Sequence, residues 1–154
     1  MDKLDIVTDE SGNEVVLLPE IIFSNKQNIN WNDVEDYLGK YVGELIEIAE
    51  TRDIIYIGNQ FPDEYGGSSY TRKTKGARAK AKANAAQGIR EMVEIATDKV
   101  YRENHKEKHS EDAHNGWFYY VTRFAIPLYN NEKKTGEYNV YSACLVVNHS
   151  LIHI

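Results

Sequence analysis

The chain has 154 residues, a formal net charge of −6, and 42% hydrophobic and 27% charged residues. These are the proportions of an ordinary globular domain, and they exclude wholesale disorder, a collagen-like repeat and a coiled-coil rod. Its apolar runs fall far short of the roughly 20 residues that span a bilayer, and its start lacks a signal peptide's apolar stretch, so a cytoplasmic protein with no membrane partner is expected.

Residues 1–30 read as an extended arm. Within it, residues 13–24 are mostly apolar but are interrupted by Pro19; proline removes a ladder donor, so a lid or edge strand is expected there. Residues 31–154 read as one domain. Val34, Leu38, Tyr41 and Val42 have helical spacing, ending near Gly43, and Asn30 or Asn32 can cap the start, reinforced by Asp33 and Glu35. Apolar runs around Leu45 and Ile55 flank the polar turn Glu50-Thr51-Arg52-Asp53, which is hairpin patterning. A loop rich in Gly and Ser is expected over 58–70.

Ala77, Ala81, Ala85, Ile89, Met92, Val93 and Ala96 recur at spacings of three and four. That pattern predicts a helix over 76–96 that buries this stripe on a sheet, with Gly88 as a break and Arg78 and Lys82 in solvent. Residues 101–115 have no apolar periodicity and read as a surface loop or short polar helix. Two strands then close the chain, 117–128 and 138–149, joined through 130–136. On the first, Phe118, Tyr120, Thr122, Phe124 and Ile126 share one face, and Trp117, Tyr119, Val121, Arg123 and Ala125 the other. Both faces are substantial, so both are expected to be partly covered. The fold class is α+β: two main helices packed on a twisted, mainly antiparallel sheet.

Charge is unevenly placed. Residues 1–70 carry 4 Lys/Arg against 15 Asp/Glu, and residues 71–154 carry 14 against 9, so the halves stand at −11 and +5. Between residues 71 and 90, Arg72, Lys73, Lys75, Arg78, Lys80, Lys82 and Arg90 occur without an acid. Such a patch can neutralise phosphates; a solvated helix face answering the acidic half is the competing reading. Eleven tyrosines, five of them in the final hairpin (Tyr119, Tyr120, Tyr129, Tyr138 and Tyr141), could stack bases or simply fill strand faces.

The residues best suited to chemistry are His105, His109 and His114, beside Lys106, Lys108, Glu111 and Asp112 and just before the strand that bears Arg123. Imidazoles titrate near neutrality and can remove and return a proton, while an arginine stabilises a pentacovalent phosphate. That set suits metal-independent RNA cleavage; a merely solvated loop, or an Arg123–Asp112 ion pair, accounts for the same residues. No Cys pair, His-Glu-x-x-His, Gly-x-Ser-x-Gly or phosphate-loop pattern is present, so no metal or cofactor is expected. Cys144, the single cysteine, lies in an apolar run and is expected to be a buried inert thiol.

The string Glu107-Lys108-His109-x-x-Asp112-Ala113-x-Asn115-Gly116-Trp117-x-x-Tyr120-x-Thr122-Arg123-Phe124-Ala125-x-Pro127, followed by Tyr138-Asn139-Val140, resembles a large polyvalent protein-associated domain. Upstream, Tyr56-Ile57-Gly58, Phe61-Pro62-Asp63-Glu64, Lys75-Gly76-Ala77 and the run from Lys80 to Ile89 fit the same pattern, so the resemblance covers about residues 31–149. That family occurs in giant polyproteins of phages and conjugative elements, and relatives are likened to the barnase, EndoU, colicin and RelE ribonuclease fold. The resemblance implies a mobile-element accessory protein that contacts RNA or DNA, and a ribonuclease-like site at His109, Arg123, His114 and His149. Arg72, Lys75, Arg78, Lys80 and Lys82 would be its nucleic-acid contacts. In that family another strand follows the position of His149, so a sheet short of its last strand is expected here. The alternative expectation is a non-enzymatic inhibitor or adaptor, anti-CRISPR-like, that binds a host defence protein through the acidic half or the tyrosine-rich hairpin.

Overall fold

The computed structural model describes residues 3–24, 29–67, 76–102, 116–148 and 152–153. Its centre is β6 (Trp117–Asn130), which pairs antiparallel with β7 (Lys133–Asn148) along one edge. Along its other edge β6 pairs antiparallel with β5 (Thr97–Arg102) and, beyond that, parallel with β2 (Glu14–Leu17), which in turn carries β1 (Ile6–Thr8). The sheet is therefore mixed, its β2–β6 pairing parallel and its other three pairings antiparallel. A second sheet of β3 (Leu45–Glu47), β4 (Ile54–Tyr56) and β8 (Ile152–His153) is antiparallel throughout. The α+β class stands, and the short strand that follows position 149 belongs to the small sheet rather than the main one.

Sequence patterning accounts for much of this. Asn30 caps α1 (Trp31–Leu38), its side chain accepting from the N–H groups of Asn32 and Asp33, and a 3₁₀ turn Gly39–Tyr41 completes the buried stripe Val34, Leu38 and Tyr41. The stretch expected as loop contains α2 (Phe61–Gly66), which opens with Pro62 near its first turn. The β6–β7 turn is tighter than expected. Asn131 and Glu132 both adopt positive φ, 52° and 67°, as a two-residue hairpin turn with right-handed strand twist requires. Strand β7 consequently begins at Lys133, not beyond Gly136.

The single helix expected over 76–96 is three pieces: α3 (Ala77–Asn84), a 3₁₀ turn Ala85–Gly88 and α4 (Ile89–Glu94). Gly88 lies against β2, where an added Cβ would stand 3.1 Å from Leu18 Cδ2 and 3.3 Å from Val16 Cγ1. Close approach, in addition to weak helix propensity, fixes glycine there. Ala79, Ala83 and Ala86 join one core with Trp31, Val34, Leu38, Ile46, Ile55 and Tyr120, whereas Ala81 and Ala85 join another with Val16, Leu18, Met92 and Phe124. The alanine helix thus packs on two sides, a role small side chains permit and a one-stripe reading misses. Ala77, placed on the buried stripe from spacing, is exposed.

The amino-terminal segment is woven into this core. Val15, Val16 and Leu18 are buried, and β2 is interior, with Pro19 just past its end. Fully buried Asn84 accepts from the N–H groups of Ile22 and Phe23 and donates to the carbonyls of Phe23 and Lys80. Gln87 donates to the carbonyl of Glu20. The side-chain amide of Asn84 is fully satisfied, and with Gln87 it ties the backbone of residues 20–23 to the helix through four hydrogen bonds.

Candidate nucleic-acid interface

Strand pairing sorts the side chains of the main sheet. Residues paired across antiparallel strands point to the same face, so the registers Arg102↔Trp117↔Asn148, Val100↔Tyr119↔Val146, Val121↔Cys144 and Arg123↔Ser142 describe one outer face. The opposite face carries Phe118, Tyr120, Thr122 and Phe124 into the cores. On the outer face Val100, Val140, Val146 and Cys144 are exposed, and Trp117, Tyr119, Val121 and Arg123 are half-buried; beyond Arg123 the face closes at Ala125, which is buried. Cys144 is thus exposed, not buried as expected, because β7 turns its even-numbered residues outward. Burial of the sulfur still pushes its thiol pKa up, against the opposing charge of Arg102.

This face is electrostatically distinct from the acidic protein that carries it. None of its paired positions among the described residues is an Asp or Glu; Asp98 sits in the unpaired bulge between Thr97 and Val100. The guanidinium of Arg102 lies over the Tyr119 ring, 5.6 Å from its centroid, an attractive cation–π geometry. Arg123 has no ion pair or hydrogen bond among the described residues although it is half-buried. Because β6 rises about 3.4 Å per residue, Arg123 stands roughly 20 Å from the Trp117 row. The face therefore has a cation at each end, Arg102 beside Trp117 at one and Arg123 at the other, with Tyr119 and Val121 between them.

The basic helix offers less than its composition suggests. Arg78 is exposed, as expected. Lys82 is half-buried, contrary to expectation: its ammonium lies 5.0 Å from the Tyr65 ring centroid, and burial pushes its pKa down. Lys80, two residues from each, leaves the helix on roughly the opposite side. Arg90 is paired with Glu44. The structure thus separates cations that the sequence groups together. Arg72 and Lys75 lie outside the described residues, as do His105, His109, His114 and His149. What is described is the set of their chain anchors: Arg102 and Gly116 flank the segment 103–115, Asn148 precedes His149, and Arg102, Trp117 and Asn148 share one sheet row. Arg123 does not belong to that row.

A second polar constellation had no signal as a group in the sequence. Asp53 Oδ2 accepts from Tyr120 Oη at 2.6 Å and from Thr51 Oγ1 at 2.9 Å, and pairs with Lys99 Nζ at 2.8 Å. Burial alone would raise the Asp53 pKa, but the hydrogen bonds from Lys99, Tyr120 and Thr51 outweigh it and hold the carboxyl below its ordinary range. Burial and the adjoining carboxylate push the Tyr120 phenol up. Lys99 also lies over Phe118, 4.2 Å from the ring centroid. With its carboxylate satisfied and only 5% of the residue exposed, this cluster is a structural tie between sheets rather than a proton relay. Among the described residues no group of three or more His, Cys, Asp and Glu side chains could hold a metal ion, and no helix is long and apolar enough to cross a membrane. Compared with protein-family models, curated proteins and solved structures, the chain matches none.

Proposed function

We propose that the protein binds single-stranded nucleic acid on the outer face of β5, β6 and β7, serving as an accessory protein of the mobile-element kind that its sequence resembles. The observation that carries this reading is Arg123, a half-buried arginine with no partner among the described residues, on an acid-free face that also bears Trp117, Tyr119 and Arg102. Aromatic side chains on an open sheet face stack unpaired bases, and arginines beside them take the phosphates. The reading moves the contact surface from the alanine helix, where Lys82 is desolvated and Arg90 is paired, to the sheet, where Arg123 and Arg102 have no acidic partner among the described residues. It requires binding only, with no proton transfer.

The test is anisotropy of a labelled single-stranded RNA or DNA oligonucleotide in EDTA across a salt series. Removing Arg102 and Arg123 together takes away two phosphate contacts and should flatten the slope of log K against log salt by about 1.4. An unchanged slope refutes the reading. Gel analysis of the same mixtures shows intact oligonucleotide if the protein only binds; cleavage that disappears in His109→Ala would instead restore the ribonuclease expectation.

A further inference from the structure

Among the described residues the long β7 strand leaves one edge unpaired. Along the other it pairs with β6, and the direction of its remaining hydrogen-bonding groups can be read from its neighbours. The Ala125 carbonyl accepts from Leu18 N–H at 2.9 Å, on the β2 side. The N–H and C=O of one strand residue point the same way, so Ala125 and its partner Val140 form a pair whose backbone groups face away from each other. The register is unbroken from Ala125 to Trp117. It follows that Val140, Ser142, Cys144 and Val146 aim their N–H and C=O groups at the open edge, and the same four side chains lie exposed on the outer face.

Edge strands are ordinarily protected by charge, proline, a bulge or shortness. Residues 138–148 (Tyr-Asn-Val-Tyr-Ser-Ala-Cys-Leu-Val-Val-Asn) contain no charged residue, proline or glycine, and the register shift in this hairpin lies before them, between Pro127 and Tyr129. The segment is also self-complementary about Ala143. Antiparallel pairing with a second copy, two-fold at Ala143, sets Val140 opposite Val146, Ser142 opposite Cys144 and Tyr141 opposite Leu145. Val140 is 57% and Val146 47% exposed in the single chain, and this register covers each with the other. No like charges meet, since the first charged residue on the strand side is Glu137.

We infer that β7 pairs with β7 of a second copy of this chain, two-fold at Ala143, to make one continuous sheet across a dimer. The interface is isologous, as closed homodimers require, and it joins the two outer faces into a single surface. Its occupant is another copy rather than a foreign strand because the two-fold register sets exposed Val140 against exposed Val146 and brings no like charges together.

Sedimentation equilibrium of the purified full chain from micromolar to millimolar concentration should give a mass near twice the 17.7 kDa of the monomer. A hydrogen-bonded antiparallel pair holds its Cα atoms about 5.5 Å apart, within the range a disulfide spans. Ser142→Cys should therefore cross-link to Cys144 of the second copy on mild oxidation, whereas the unsubstituted chain should not. Val140→Lys should yield a folded monomer, with circular dichroism reporting the fold. A wild-type monomer at every concentration, as pairing with a foreign strand would leave it, overturns the inference. So does a dimer that survives Val140→Lys while Ser142→Cys fails to cross-link.

Discussion

Tyr120, midway along β6, donates its hydroxyl to Asp53 Oδ2, at the entry to β4, across 2.6 Å. This bond ties the large sheet to the small one in a buried setting, with Lys99 and Thr51 closing around the same carboxylate oxygen. Asp53 is buried but Lys99 is exposed, so removing the carboxylate forfeits charged hydrogen bonds, worth about 1.5–3 kcal/mol, rather than stranding a buried charge.

Asp53→Asn should therefore lower stability in urea unfolding by about 2 kcal/mol at neutral pH. The sign of the pH dependence is fixed by the depressed Asp53 pKa. A carboxyl held below its ordinary value stabilises the fold above the unfolded-state pKa of about 3.9, and that stability is lost as pH falls through the folded value. The acid limb of stability against pH should be shallower in Asp53→Asn. Parallel acid limbs would assign the tie no electrostatic role.

Asn84→Ala leaves the N–H groups of Ile22 and Phe23 and the carbonyl of Phe23 without their partner. Each orphaned buried group costs about 1–3 kcal/mol. Release of the segment relieves part of that cost, so the expected signature is rapid limited proteolysis near Pro19 to Ser24 together with destabilisation. Wild-type cleavage rates there would show that Val15, Val16 and Leu18 hold the segment without the asparagine.

Phe124 is 4% exposed and stacks on Tyr141, with ring centroids 5.5 Å apart. Phe124→Ala should cost roughly 3–5 kcal/mol. A loss below about 1 kcal/mol would place the ring outside the core.

Gly116 has a φ of 93°, and an added Cβ would come within 2.6 Å of the Arg102 carbonyl oxygen. Backbone cannot move aside as a flexible side-chain tip can. Gly116→Ala should therefore break the Arg102↔Trp117 end of the β5–β6 ladder, seen as fast amide exchange at Tyr101 and Phe118, while amides near Phe124 stay protected. Uniform protection would show that the turn accommodates the methyl group.

Sequence legibility followed periodicity. The Asn30 cap, the Val34–Leu38–Tyr41 stripe, the β3–β4 hairpin and the alternation of β6 could be read because each depends on residues a few positions apart. The parallel β2–β6 pairing could not, since it joins residues more than one hundred positions apart and Pro19 suggested an edge. The alanine helix was recognised as buried, but its packing on two sides depends on two cores that no single stripe reveals. At the candidate interface, alternation already placed Trp117, Tyr119 and Arg123 together. Openness of that face was hidden because apolar residues occupy both sides of β6, and the contribution of Val100 and Arg102 was hidden because residues 97–102 carry no clear strand pattern.

The most direct measurement of the proposed interface uses Trp117 as its own reporter. The other tryptophan, Trp31, is 4% exposed in the helical core, so Trp31→Phe leaves emission from Trp117 on the outer face alone. Titrating this variant with a single-stranded oligonucleotide should quench the emission as a base stacks on or beside the indole, with a midpoint that weakens steeply as salt rises and in Arg123→Ala. Binding detected by anisotropy with no change in Trp117 emission, or no binding at low salt, would contradict the assignment of this face.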